Sequence, residues 1–96
     1  MNLTNQKKYT TLLEKFSLFL FSEGKSDLTV NAYLKDVKAW LEENCTTAEG
    51  MADHIASLGI RGKSPRTLSR HASSLRRWGR FLTDNGYEKD DVARLI

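Results

Sequence analysis

Basic residues that could bind phosphate are concentrated in one stretch of the chain. Between Arg61 and Leu82 there are seven basic side chains and no acidic one, whereas the rest of the 96 residues carry eight basic and twelve acidic side chains. A solubilising surface usually mixes its charges, and a separated positive patch attracts polyanions. The chemistry that this stretch predicts is therefore the binding of a phosphate-rich partner. Its basic residues are Arg61, Lys63, Arg66, Arg70, Arg76, Arg77 and Arg80.

The other residues that could do chemistry form no recognisable active site. His54 and His71 are far apart in sequence, and neither has a Cys, Ser or carboxylate partner at a characteristic spacing. A single cysteine, Cys45, allows no disulfide within the chain, and no cluster of Cys and His has the spacing of a metal site. We therefore expect no catalytic residue, no metal and no cofactor. Cys45 is expected to be a structural or tolerated thiol, and His71 to have a packing or phosphate-binding role.

Apolar residues at helical spacing predict an all-α chain. They recur at i, i+3, i+4 and i+7 from Tyr9 and from Val30, and at i, i+4 and i+7 from Leu68, and no segment alternates with the period of a strand. A chain of 96 residues is long enough for one domain with a modest core. The predicted helices span about 6–23, 27–44, 48–58 and 64–85, with a short last helix near 92–96.

The fourth predicted helix carries the basic residues. Ser64 suits its N-cap, Pro65 its first turn, and Gly86 the position that follows its end. On a helical wheel, five arginines and two serines occupy an arc of about 120° opposite the apolar side. Gly79 lies inside this helix, where glycine costs about 1 kcal/mol relative to alanine, so we expect another part of the chain to pack closely there. The predicted core stripe is Leu68, Ala72, Leu75, Trp78 and Leu82.

The basic face predicts nucleic-acid binding, and duplex DNA in particular. Because no Asp or Glu lies between His54 and Thr83, we expect the arginines to lack acidic partners and to need an outside anion. Arg66 and Arg77 would be about 16 Å apart along the helix, enough to cross a major groove about 12 Å wide. The helix N-terminus suits phosphate, and the second helix is expected to supply another edge of the site. The predicted DNA-binding residues are Thr29, Asn31, Lys35, Lys63, Ser64, Arg66, Thr67, Arg70, Ser73, Arg76, Arg77 and Arg80.

Two stretches of the chain together carry a recognisable pattern. The first comprises FL at 19–20, EGKS at 23–26, Thr29, AY at 32–33, DV at 36–37 and WL at 40–41. The second comprises KSPRTLSR at 63–70, SSLRRW at 73–78 and RFL at 80–82. In this order and spacing they resemble the N-terminal core-binding, SAM-like domain of tyrosine recombinases of the phage-integrase and Xer type, over residues 16–83. The chain departs from the family pattern at Lys25, where an apolar residue is usual, and at Gly79, where an aromatic residue is common.

The resemblance implies a compact bundle of four to five helices that clamps one face of a recombination half-site. Its second and fourth helices would face the DNA. Residues 1–96 would then be a single core-binding domain, a fragment of a longer recombinase whose catalytic residues lie in a C-terminal domain absent from this chain. Tyr9, Tyr33 and Tyr87 match no catalytic position. The implied function is sequence-selective binding of double-stranded DNA in support of integration and recombination. The implied partners are the half-site, the parent's own catalytic domain and other recombinase protomers.

The residues leave an alternative open, a helical protein-interaction or oligomerisation module without DNA binding. It requires an exposed apolar patch, for which Phe21, Met51 and Ile60 are the candidates. A stand-alone enzyme is the interpretation that the residues favour least. No apolar run approaches the roughly 18–20 residues of a membrane span, and the N-terminus lacks a signal-peptide pattern. We therefore expect a cytoplasmic protein with no membrane partner.

Overall fold

The part of the chain that the structure describes contains four helices. The structure is a computed structural model that describes residues 3–43 and 46–96, with side chains from residue 9 onwards. Within these ranges there is no strand, which confirms the all-α prediction. The predicted end of the second helix at Asn44, and Cys45 after it, lie outside the described residues. The helices are α1 (Leu3–Ser22), α2 (Asp27–Leu41), α3 (Ala48–Ile60) and α4 (Pro65–Asp84).

Side-chain caps explain where the last three helices begin. In each of them a Ser or Thr side chain accepts a hydrogen bond from the backbone N–H three residues later, which satisfies one of the free donors of the first turn. For α4 this cap is Ser64, bonded to the N–H of Thr67 at 3.2 Å, and Pro65 follows it in the first turn. Gly86, after the end of α4, has a φ of 75°, a conformation that glycine adopts without strain. The predicted beginning and end of α4 are confirmed. The other caps are Ser26 for α2 and Thr47 for α3.

The prediction of a short fifth helix is wrong. Residues 92–95 form turns. The carboxylate of Asp91 accepts a hydrogen bond from the N–H of Ala93 at 2.8 Å, and the Asp91 carbonyl accepts one from the N–H of Arg94 at 3.2 Å. A run of four residues is too short to offset the cost of helix nucleation. The apolar spacing still has meaning, because Val92 and Ala93 are buried against the bundle.

Aromatic side chains of α1 and α4 form the centre of the core. Phe16 and Trp78 are both completely buried, and their rings meet edge to face with centroids 5.2 Å apart. Phe81 packs against both rings. Such pairs add about 0.5–1.5 kcal/mol beyond the area that they bury. The core therefore fixes α4 along its length and leaves its opposite face outside.

The buried side of α4 is more polar than the sequence predicted. Leu75, Trp78 and Leu82 are buried as expected, whereas Leu68 and Ala72 are only half-buried. The other buried residues of the helix are His71, Ser74, Gly79 and Phe81. Buried polar groups usually have hydrogen-bond partners, and Ser74 has two, the carboxylate of Asp36 and the carbonyl of Arg70.

The exposed apolar residues differ from those expected for an interaction module. Phe21 and Ile60 are exposed, at 45% and 86%. Met51 is wholly buried in the core, so its prediction as an exposed residue is wrong. The short α3 has too few apolar residues to show from sequence which side is buried.

In the part of the chain that the structure describes, no helix has the length and apolar content needed to cross a membrane.

Gly79 packs closely against the chain's end, as the sequence predicted. A Cβ added there would overlap the Asp91 side chain and approach the backbone nitrogen and Cβ of Ala93 to 3.2 Å. We expect Gly79→Ala to lower the unfolding midpoint by several degrees, about 1 kcal/mol net, because overpacking outweighs the gain in helix propensity. Thermal unfolding followed by circular dichroism measures this, with Ser69→Ala, at an exposed site of the same helix, as the control. A Gly79→Ala protein at least as stable as the parent would contradict the close contact.

Candidate nucleic-acid interface

A groove runs between α2 and α4, the two helices that contact each other most extensively. It has a volume of about 340 Å³. It brings together Thr29 of α2 with Arg70 and Ser73 of α4. These three residues were predicted to share a site, although Thr29 is more than 40 positions from the other two. The remaining lining residues are Leu28, Ala32, Tyr33 and Ser74.

Helical spacing on both sides explains how the sequence builds this groove. On α2, Thr29, Ala32 and Tyr33 lie at i, i+3 and i+4, and Asp36 follows at i+7. On α4, Arg70, Ser73 and Ser74 repeat the spacing i, i+3, i+4. Each set therefore occupies one face of its helix. Most of these residues are small or polar, so the helices meet along a polar seam beside the apolar core.

A buried carboxylate lies within this seam. Asp36 is only 1% exposed and accepts two hydrogen bonds from the guanidinium of Arg70, from Nε at 3.1 Å and from a terminal nitrogen at 3.0 Å. The hydroxyl of Ser74 donates a third at 2.8 Å. Nε2 of His71 lies 3.5 Å from the same carboxylate. A buried carboxylate without such partners would cost several kcal/mol, so this network holds α2 against α4.

Asp36 was not predicted as a site residue from the sequence. It appeared only in the DV pair at 36–37 that contributes to the family resemblance. The signal was the polar spacing of Thr29 and Asp36 on one face of a helix that is otherwise amphipathic. The partners Arg70 and Ser74 are 34 and 38 positions away, and nothing local predicts them.

The expectation that the arginines lack acidic partners is wrong for Arg70, Arg77 and Arg80. Arg70 pairs with Asp36 of α2, and Arg77 pairs with Glu23, which follows α1. These acids lie outside the acid-free window and reach the arginines through the fold. Two further arginines have partners near the C-terminal end. Arg80 is 3.5 Å from Asp84, and Nε of Arg76 donates to the carbonyl of Ile96 at 3.3 Å.

Three other predicted residues remain able to pair with an anion outside the protein. Lys35, Lys63 and Arg66 are exposed, and in the described ranges no carboxylate lies within 4 Å of their charged groups. Lys63 and Arg66 lie at the N-terminal end of α4, where the helix dipole adds positive potential. Lys35 and the exposed Asn31 do not line the groove.

Ser64 and Thr67 have a structural role in the same region. Their hydroxyls are 3.1 Å apart, and Ser64 caps the helix through the backbone of Thr67. Pro65 has no N–H, and the N–H of Leu68 bonds to the carbonyl of Ser64 at 3.0 Å, so the N–H of Arg66 is the first-turn donor left without a partner in the helix. The N-terminal end of α4 therefore combines two exposed cations with one backbone donor.

The two histidines are close in space and each meets a carboxylate. Nδ1 of His54 is 2.8 Å from Glu43, and the rings of His54 and His71 are 6.1 Å apart. Burial lowers the pKa of His71 below its ordinary value, an effect that Asp36 opposes. Of the two expected roles of His71, the structure supports packing, because the residue is 8% exposed. Among the described residues no group of three or more His, Cys, Asp or Glu side chains could hold a metal ion.

The lowered pKa of His71 predicts a pH-dependent stability. Between the folded pKa and the unfolded value of about 6.5, the unfolded chain binds more protons, so stability falls as the pH drops through this window. The groups that face His71 are Asp36, Arg70, His54 and Lys63. We expect the melting temperature to fall from pH 7.5 to 5.5, and to fall less in His71→Gln. Equal falls in both proteins would contradict the assignment to His71.

The fold defines an all-α domain whose long, basic last helix packs beside its second helix. Residues 13–86 match the family model described as the phage integrase N-terminal SAM-like domain. The chain belongs to this family, which confirms the resemblance.

A curated relative agrees with this assignment. The chain is similar to the tyrosine recombinase XerD of Caulobacter vibrioides, with 32% identity over 76 residues. The similarity covers 71% of this chain and 25% of that protein, so the chain spans about a quarter of the relative's length. No solved structure matches the chain significantly.

Proposed function

We propose that this chain binds double-stranded DNA as the N-terminal clamp domain of a site-specific tyrosine recombinase. The carrying observation is the α2–α4 groove, which joins predicted residues of both helices in a member of the integrase family. We expect all twelve predicted residues to contact the DNA. Their contributions to binding should be unequal, because several of the arginines have partners within the protein.

The largest share belongs to the N-terminal end of α4. Lys63 and Arg66 are exposed cations without acidic partners in the described ranges, so a phosphate would meet their full charge. Arg70 is half exposed and has donors beyond those bound to Asp36. Thr29 and Ser73 are small, which lets a DNA backbone approach, and their hydroxyls can donate to phosphate oxygens.

The paired arginines contribute less. Each carboxylate beside Arg77 or Arg80 offsets part of the positive field. Arg77 also stacks over the ring of Phe19, with its guanidinium carbon 5.7 Å from the ring centroid. These residues would orient the face of α4 and add long-range attraction.

The parent protein would supply the chemistry. In this proposal the chain provides no catalytic group, and strand cleavage and joining belong to a catalytic domain elsewhere in the parent. The parent's catalytic domain and other protomers on the same DNA are the further partners. The setting is the cytoplasm, and the recognition is selective for a recombination half-site.

A salt titration tests DNA binding directly. We expect the chain to bind labelled duplex DNA by fluorescence anisotropy, with an affinity that falls steeply from 50 to 300 mM salt. Each phosphate contact contributes about 0.9 to the slope of log K against log salt, so four or more contacts predict a slope near −4 or steeper. Selection from a random duplex pool then measures the sequence preference. A salt-insensitive dimer without DNA affinity would contradict the proposal and favour a protein-interaction module.

A further inference from the structure

Asp36 is an unusual choice for the position that it occupies. It is one of the most deeply buried side chains of the domain, yet its partner Arg70 is 52% exposed. An apolar residue in place of a buried ion pair often gives equal or greater stability. Stability alone therefore does not explain a carboxylate here, whereas its two hydrogen bonds with Arg70 give it a second role.

The network fixes the orientation of the Arg70 guanidinium. The two bonds from Nε and one terminal nitrogen engage both carboxylate oxygens, so the planar group is held along one edge. Ser74, which is completely buried, holds the carboxylate in turn through Oδ2 at 2.8 Å. The other terminal nitrogen of Arg70 has no hydrogen-bond partner in the described part of the chain. It belongs to a side chain that lines the α2–α4 groove beside Thr29 and Ser73.

We propose that Asp36 is a positioning residue that presents the free edge of Arg70 to a phosphate of the bound duplex. This inference rests on the proposed DNA binding. An unrestrained arginine loses side-chain entropy when it is fixed in a complex, whereas the folded protein has already ordered this one. Ser74 supports the same arrangement from beneath without reaching the DNA.

The charge of Asp36 makes the inference testable by its sign. A carboxylate near a phosphate repels it, so a purely electrostatic role predicts that Asp36→Asn binds DNA more tightly. Positioning predicts the opposite, because asparagine cannot hold both nitrogens of Arg70 as a carboxylate does. We expect Asp36→Asn to weaken duplex binding about fivefold to tenfold despite its higher net charge. We also expect the salt slope to become about one unit shallower, since one phosphate contact is lost.

The experiment is a double-mutant cycle on duplex DNA, measured at 15 °C after circular dichroism has shown that each protein is folded. The proteins are the parent, Asp36→Asn, Arg70→Gln and the double variant. If Asp36 acts through Arg70, Asp36→Asn should weaken binding in the parent but not in the Arg70→Gln protein. If either Asp36→Asn or Arg70→Gln binds duplex DNA as tightly as the parent, or more tightly, the inference is overturned.

A second variant keeps the test decisive if Asp36→Asn or Arg70→Gln does not fold. Ser74→Ala removes one bond to Asp36 without changing the charge, and we expect it to weaken binding twofold to fourfold. Ser17→Ala, on α1, is the matched control and should bind like the parent. Unchanged affinity in Ser74→Ala overturns the inference in that case. If Arg66→Glu loses binding while Asp36→Asn does not, DNA binding stands and positioning fails; if the parent does not bind duplex at 50 mM salt, DNA binding itself fails.

Discussion

Replacing Arg70 with glutamate should bring the domain close to unfolding, whereas the same change at Arg66 should leave it folded. Asp36 is buried and depends on Arg70 for two of its three hydrogen bonds. Removing one partner of a buried pair costs about 3–5 kcal/mol, and the new carboxylate adds repulsion. A domain of this size is stable by about 5–15 kcal/mol, so the loss takes a large share.

Arg66 is the matched control because it lies one helical turn before Arg70, is exposed, and has no acidic partner in the described ranges. Thermal and urea unfolding by circular dichroism should show Arg70→Glu at least about 12 °C below the parent, or without a cooperative transition. Arg66→Glu should stay within about 3 °C. Equal melting temperatures for the two variants would contradict the Asp36 network. Because Arg70→Glu is expected to destabilise the fold, a loss of DNA binding in that variant would not show that Arg70 contacts DNA.

The second large effect concerns the N-terminal end of α4. We expect Lys63→Glu combined with Arg66→Glu to reduce the affinity for duplex DNA by on the order of 100-fold or more. Each lost charge-assisted hydrogen bond to a phosphate contributes about 1.5–3 kcal/mol, and the new carboxylates repel the backbone. Stability should hardly change, because neither side chain is buried.

A charge-matched variant distinguishes a local site from net charge. Lys89→Glu with Arg94→Glu changes the formal charge by the same amount. Both residues border a separate hollow of about 600 Å³ that shares no lining residue with the α2–α4 groove. The control should lose much less affinity, through long-range attraction alone. Equal losses in the two double variants would contradict a site at the start of α4.

Local patterns carried the prediction of the helices. The end of α1 at Ser22, the start of α4 after Ser64 and its end before Gly86 follow from apolar spacing and capping residues, which act within a few positions. The last segment shows the limit of that approach. Its apolar spacing reflected burial of Val92 and Ala93 in turns rather than a helix.

The partners of Arg70 and Arg77 could not be predicted from local patterns, unlike the i, i+4 pair of Arg80 and Asp84. Asp36 and Glu23 reach Arg70 and Arg77 only because helices distant in sequence pack together. A wheel drawn for one helix shows which face is basic, but it does not show which neighbour covers part of that face. The basic side of α4 was therefore predictable from the sequence. The pairing of part of its charge with carboxylates of the same protein was not.

DNA binding by the α2–α4 face is tested most directly by an NMR titration of the ¹⁵N-labelled chain with a short duplex at low salt. We expect the largest chemical-shift changes at the start of α4, from Lys63 to Arg70, and along the groove at Thr29 and Ser73. The side-chain Nε–H of Arg70 should shift with them. Changes centred instead on the exposed apolar residues of α1, Leu18 and Phe21, or no changes at all, would contradict DNA binding by the α2–α4 face.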